Sequence, residues 1–491
     1  MSGNSSEVFE ETLEVIPDPV SLMEAMRAVG YSAETAIADL LDNSISAHAQ
    51  QIHIQYDGIG DPYIAIFDDG DGMTSPELTA AMRHGSRNPL DQRQAHDLGR
   101  FGLGLKTASL SQCRKLTVVS KKDGVVSGRR WDLDIVEKTG KWLVVVPSLS
   151  ELQAIPMYGR LENAPTGTIV VWQELDRLSA GAADIEKELT QKLSTLREHL
   201  ALVFHRFLEG DSSSRGLVIS VNGLLLPKRD PFLRSNKFIQ PLEGQCIKHP
   251  RGDVQVLPFV LPPVGRLSAD EIETAGGGDG LRSTQGFYIY RNRRLVVWGT
   301  WFKIVPKDEF YKLTRVQVDI PNSFDDLWSL DIKKSTAQPP EFIRNRLREL
   351  LPHFSNASRK TITFPGRKAT GSSVLSLWVR YEASKERFDY RVNSEHPLIS
   401  DLASELSSSQ VRKLQTLTEL FGHALPLEAI YADMCGDRRS KADKVEIEQL
   451  ADLVRRVMEV SGMPLNKIIE MEPFCRFPEL FEMLKGGEKN V

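Results

Sequence analysis

Between residues 51 and 173, short apolar or alternating stretches are spaced by turn residues. Residues 51–56 alternate and residues 63–67 run almost continuously apolar, with Gly58, Gly60 and Pro62 between them. That pattern predicts two adjacent strands. Further strands are predicted at 115–120, 125–133, 142–145 and 168–173. Residues 19–47 read as two helices broken near Gly30, and residues 103–111 as another. Strands interleaved with helices predict an α/β sandwich over residues 19–180, behind a polar, acidic arm at 1–18.

Residues 183–209 keep a helical period without Gly or Pro. A strand at 217–221 follows, closed by Asn222-Gly223, a strong hairpin signal. After a glycine-rich loop at 276–278 come strands at 286–290, 294–297 and 315–320, then a helix at 340–360. These make a second α/β domain, 181–362. Residues 363–373 read as a linker, and 374–491 as a mostly helical C-terminal module.

Composition narrows the class. The 41% hydrophobic content supports packed cores, and 61 basic against 66 acidic residues leave a net charge of −5. That balance neither demands nor excludes nucleic acid, because a local basic groove can sit on a mildly acidic protein. Four dispersed cysteines, Cys113, Cys246, Cys435 and Cys475, form no C-x-x-C pair, which argues against zinc or a disulfide framework. A reducing, cytoplasmic setting is expected. No apolar run approaches 18 residues and no signal-peptide pattern opens the chain, so no membrane partner is expected.

Three motifs carry chemistry. In the helix over 32–47, Asp39 and Asn43 are four apart and share a face. The Asn43 amide oxygen suits magnesium, and Asp39 is placed to orient or deprotonate a water. An ordinary amphipathic helix explains the same polar face. Asp68-Asp69-Gly70-Asp71-Gly72 follows an apolar strand, where a carboxylate can accept from an exocyclic amine such as adenine N6. An acidic turn is the plainer reading; the EF-hand pattern fails because Met73 and Ala80 stand where ligands belong. Gly99-x-x-Gly102-x-Gly104-Leu105-Lys106 reads as a loop entering a helix, whose amides and lysine suit phosphates. It is no P-loop, since Leu105 separates Gly104 from Lys106. The polar, basic stretch before it, with Gly85 and Ser86, suits a lid over phosphates.

In this order the motifs resemble the GHKL ATPases: gyrase, heat-shock chaperone, histidine kinase and MutL. AIADLLDNSISAHAQQIHI, FDDGDGM and GRFGLGLKTAS are similar to the three boxes of that family, and GTIVVW to its following strand. The resemblance covers about residues 20–175 and implies ATP and Mg2+ as ligands. It implies that Asn43 binds magnesium and that Asp68 reads adenine in a pocket shaped by Gly70, Gly72 and Met73. Thr168 would meet the Asp68–adenine pair. Gly99, Phe101, Gly102, Leu103, Gly104, Leu105 and Lys106 would hold phosphates, under a lid that includes Gly85 and Ser86. The family usually has Glu where Asp39 stands, so slow hydrolysis is expected. The motifs of 221–232 and 286–295 resemble the transducer domain (ribosomal-S5-type) of the MutL and MORC branches. There Lys334, with Lys333 as alternative, would reach the γ-phosphate. The resemblance to prokaryotic MORC-like ATPases implies ATP-driven closure of a homodimer. DNA and nuclease or helicase partners follow, in restriction or phage-defence settings. Arg291, Arg293, Arg294, Lys303 and Lys307 are candidates for a DNA groove, or else lie on solvated strand edges.

Overall fold

The computed structural model describes residues 16–28, 30–84, 104–178, 184–210, 216–325, 327–328, 338–363, 376–384, 387–426 and 447–471, with Ile430, Phe474 and Leu484. The protein is α/β throughout its first two-thirds. Its elements begin with α1 (Pro19–Arg27), α2 (Ala33–Ser46), β1 (Gln51–Asp57), β2 (Tyr63–Asp68), α3 (Ser75–Met82) and α4 (Gly104–Leu110). Next come β3 (Lys115–Lys122), β4 (Val125–Asp132), α5 (Leu133–Thr139), α6 (Leu149–Gln153), α7 (Tyr158–Asn163) and β5 (Gly167–Gln173). Helices α8 (Ile185–Lys192), α9 (Leu196–Val203) and α10 (His205–Glu209) lead to β6 (Val218–Val221) and β7 (Leu224–Leu225).

These strands form one seven-stranded sheet, ordered β4-β3-β5-β2-β1-β6-β7. Successive side chains of a strand point to opposite faces, and both faces of this sheet are covered. Ile64 and Ile66 point to the side covered by α1, α2, α4 and α9, whereas Ala65 and Phe67 meet α6 and α7 through Leu152, Tyr158 and Leu161. Asn222 (φ 46) and Gly223 (φ 79) make the expected tight hairpin turn. Its strand β6 pairs in parallel with β1, so this sheet and its core continue past residue 180 to Leu226.

The second sheet holds β8 (Gln240–Pro241), β9 (Gln245–Ile247) and β10 (Val254–Val260). After α11 (Ala269–Gly276) and α12 (Gly280–Ser283) it adds β11 (Gly286–Arg291), β12 (Arg294–Thr300) and β13 (Thr314–Ile320). Its order is β12-β11-β13-β10-β8, with β9 also on β10. The helix α13 (Glu341–Thr363) packs Ile343, Leu347, Leu351 and Phe354 on one face. The other face, through Tyr288, Tyr290 and Leu295, meets Leu202 of α9. Towards the C-terminus come β14 (Trp378–Ser384), β15 (Arg387–Val392), α14 (Pro397–Glu405), α15 (Ser408–His423), α16 (Ile447–Ser461) and α17 (Leu465–Ile468).

Four expectations change. The single helix over 183–209 is three, turned at 193–195 and at Phe204, which buries Leu189, Leu193, Leu196, Leu200, Phe204 and Leu208 together. Residues 142–145 make one bridge, Val145 to Arg130, instead of a strand. The glycine-rich loop at 276–278 is the end of α11 and a 3-10 turn. The C-terminal module contains the β14–β15 hairpin as well as helices. Among the described residues, no helix is long and apolar enough to cross a membrane.

Candidate functional site

The site begins on α2. Ser32 caps this helix by accepting from Thr35 N at 3.3 Å. Ile37, Leu40 and Leu41 anchor the helix in the core, and Asp39 lies on the flank that meets α4. Asn43 is exposed, whereas Asp39 is 7% exposed. Tyr31 donates its hydroxyl to Asp39 Oδ2 at 3.3 Å. A Cβ placed on Gly104, the first residue of α4, would stand 4.0 Å from that same oxygen. The last glycine of the third motif thus adjoins the carboxylate of the first. Glu34, in the first turn of α2, accepts from Thr195 at 2.9 Å.

The second motif leaves the end of β2. Asp68 is buried and accepts from Ser44 Oγ at 2.8 Å and from Gly70 N at 3.0 Å. Burial pushes its carboxyl up to about 6, against the hydrogen bonds from Ser44, Gly70 and Thr168 that favour the charged form. Thr168 of β5 faces Asp68 across the ladder. Its hydroxyl lies 2.9 Å from Ser120 Oγ, and that oxygen in turn accepts from Met73 N at 2.8 Å. Glycine is required at position 72: its φ is +68, and a Cβ there would sit 2.1 Å from Lys121 O. At Gly70 a Cβ would be 2.7 Å from Ala47 O, so the loop lies directly against the end of α2.

In the third motif Leu105 packs against the first core and Gly104 opens the helix. Lys106 takes a different direction from the one expected. It is 1% exposed and its Nζ donates to the carbonyls of Ala81 and Arg83, each at 2.9 Å, at the end of α3. Burial lowers its ammonium to about 8. His84 beside it packs on Trp131 and Trp142, and burial lowers its imidazole to about 4. Gly85, Ser86, Gly99, Phe101, Gly102, Leu103, Lys333 and Lys334 lie outside the described residues.

Two groups near the site are not evident from the motifs. Ser44 and Ser120 position Asp68 and the Met73 backbone, and neither belongs to a glycine or acidic signature. Arg294, from β12, reaches α2: its Nε donates to Asp42 at 2.7 Å and its Nη2 lies 3.8 Å from Asp39 Oδ1. This corrects the basic-groove expectation for Arg291 and Arg294, while Lys303 and Lys307 are exposed. Arg291 and Arg294 are each 5% exposed, and Arg291 makes a bidentate pair with Asp325 at 2.7 Å, so neither lies free on a groove or a strand edge. Arg293 donates to the Arg206 carbonyl at 2.6 Å and Lys307 to that of Ser283. Elsewhere, His205, Glu209 and Asp230 approach one another closely enough to share a cation. Arg234 already supplies positive charge there, with Nε 3.1 Å from Asp230.

Comparison with known proteins agrees with this geometry. Residues 31–168 match the family described as histidine kinase-, DNA gyrase B- and HSP90-like ATPase. The chain is 34% identical over 94 residues to ATPase morc-1 of Caenorhabditis elegans, covering 19% of this chain and 11% of that protein. It is 32% identical over 112 residues to DNA mismatch repair protein MutL of Colwellia psychrerythraea, covering 22% and 17%. To MutL of Elusimicrobium minutum it is 28% identical over 138 residues, covering 28% and 22%. The matches span at most 22% of the length of these three relatives. Through residues 31–168, then, the chain carries a region that matches the GHKL ATPases, and within it the chain is similar to MORC and MutL proteins.

Proposed function

We propose that this protein binds ATP with magnesium where α2, the end of β2 and the start of α4 meet, and hydrolyses it slowly. The bound state closes a homodimeric clamp on DNA or on partner effectors such as nucleases or helicases, in DNA transactions or phage defence. The observation that carries this reading is that one helix, α2, meets Gly104 through Asp39 and a buried Asp68 through Ser44, the Asp68 loop needing glycine at 70 and 72.

In this reading Asp68 accepts from the adenine amine, next to Thr168, Met73 and the two glycines. Asn43, an exposed hard oxygen donor one turn from Asp39, fits a magnesium ligand, and the ion would supply positive charge to the phosphates. Gly104 and Leu105 open a helix whose N-terminal amides suit phosphate. Gly99, Phe101, Gly102, Leu103, Gly85 and Ser86 are assigned to the same phosphates as part of this proposal. Lys106 either leaves its α3 carbonyls to meet phosphate or holds the start of the lid in place. Asp39 orients the attacking water and takes its proton. Lys334, or Lys333, senses the terminal phosphate from the second domain. DNA as a target is carried over from relatives named for DNA mismatch repair.

A second reading is a nucleotide-sensing adaptor with little turnover. It is favoured by Asp39, whose carboxylate stands back by about 1.5 Å, one carbon–carbon bond, from where glutamate would place it. Phosphate release from magnesium and ATP, with and without duplex DNA and beside Asn43→Ala, separates the two. Turnover that DNA raises and Asn43→Ala abolishes supports the clamp. ATP binding without turnover in any condition supports the adaptor.

A further inference from the structure

The start of β12 delivers a guanidinium to the helix that carries Asp39, from 252 residues away in sequence to its partner Asp42. The β11–β12 turn fixes where it arrives. Asn292 (φ 49) and Arg293 (φ 70) form a two-residue turn of the type that matches strand twist. Asp325 holds Arg291 on one side of that turn, and the Arg206 carbonyl holds Arg293. Arg294 then lies with its guanidinium 5.5 Å from the Phe204 ring. Its Nη1 donates to the Leu295 carbonyl at 3.1 Å, its Nε binds Asp42, and its Nη2 is directed at Asp39. Asp39 and Asp42 are three apart on α2 and therefore neighbours on its surface. A planar fork of donors can span two such carboxylates, which a lysine ammonium cannot do in the same way.

The two oxygens of Asp39 consequently face different parts of the protein. Oδ1 faces Arg294 at 3.8 Å, while Oδ2 faces the Tyr31 hydroxyl and Gly104. We propose that Arg294 is a positioning residue for ATP hydrolysis, fixing through Asp42 and Asp39 Oδ1 which way the other Asp39 oxygen points. Docking of the second sheet's hairpin on α2 thereby makes the hydrolytic site competent, so that Arg294 controls the rate without itself touching nucleotide. The proposal rests on the reading above that Asp39 orients the attacking water. It matters more for aspartate than for glutamate, because the shorter side chain has less reach to correct a misdirected carboxylate.

The test is steady-state hydrolysis by the full chain, with affinity for a non-hydrolysable ATP analogue and thermal melting measured on the same samples. Arg294→Gln alone leaves Asp42 buried without its cation, which destabilises the fold. The decisive variant is therefore Arg294→Gln with Asp42→Asn, which removes both charges together. The expected result is melting and analogue affinity close to wild type with kcat about 10- to 100-fold lower, the scale of a misplaced reacting group. A double variant with wild-type kcat, or one losing affinity and melting temperature in step with kcat, overturns the proposal. If the double variant does not fold, Arg294→Lys decides: reduced kcat with affinity kept supports the proposal, and full kcat overturns it. A wild type that binds the analogue but never hydrolyses ATP overturns the hydrolysis reading itself, an outcome distinct from a hydrolysing wild type with indifferent variants.

Discussion

The site end of the first sheet and the hairpin end of the second sheet both gather charge, but they assemble it in different ways. Around Asp68 the arrangement is largely local: Ser44, Gly70 and Gly72 lie within 24 residues of it, and glycines hold the loop against α2. At the β11–β12 turn the partners are remote, since Arg294 pairs with Asp42 and Arg293 with the Arg206 carbonyl. A local cluster forms whenever its strand and helix form. A remote pair forms only when the two sheets are docked, so it can report that docking.

The largest effect expected from breaking this comparison is on the remote side. Asp42→Ala leaves Arg294 buried without its closest carboxylate and should cost about 3 kcal/mol, read by urea unfolding followed through tryptophan fluorescence. A loss below about 0.5 kcal/mol, the range of ordinary surface changes, would mean the pair does not hold the sheets together.

On the local side, Asp68→Asn should weaken ATP binding by about tenfold at pH 7.5, the scale of one charge-assisted hydrogen bond. Because burial holds the free carboxyl at about 6, wild-type affinity should fall as pH drops through that value. The Asp68→Asn variant provides the control for titration of the nucleotide phosphates and should lack this component. The sign for stability is opposite. The folded chain holds this proton more tightly than the unfolded chain, whose value is about 3.9. This group therefore favours folding below about pH 4, and its contribution is lost as pH rises through about 6. Equal pH profiles for the two proteins would remove Asp68 from adenine recognition.

The smallest expected effect is Thr74→Ala. Thr74 and Glu77 form a capping box at α3, whose far end carries the carbonyls that Lys106 holds. Its loss should lower stability by about 1 kcal/mol and leave ATP affinity unchanged. A large fall in affinity would show that α3 is coupled to the nucleotide site more tightly than a helix cap implies.

Legibility in the sequence follows the same division. The alternating strand 51–57 and the almost continuously apolar strand 63–68 stand where the pattern places them, as does the Asn222-Gly223 turn. Strand β10 was hidden because Pro258 sits inside it, where a proline ordinarily argues against a strand. The β14–β15 hairpin lies in a stretch read as helical, although the turn at Asn393 and the helix start at His396-Pro397 are present. Asp39 and Gly104 come from separate motifs and adjoin in the fold, and Asp68 lies against α2 through Ser44. Spacing could not tell that the Lys106 ammonium turns to α3, because that depends on where the end of another helix falls. Nor could it tell that Arg294, one of three arginines between 291 and 294, is buried against Asp42.

The most direct test of the account is a paired measurement on wild type and Asp39→Asn: analogue binding and phosphate release from ATP on the same preparations. The account predicts binding within about threefold of wild type and phosphate release lower by about 100-fold, the contribution of a positioned base. Phosphate release that is unchanged by Asp39→Asn would contradict it.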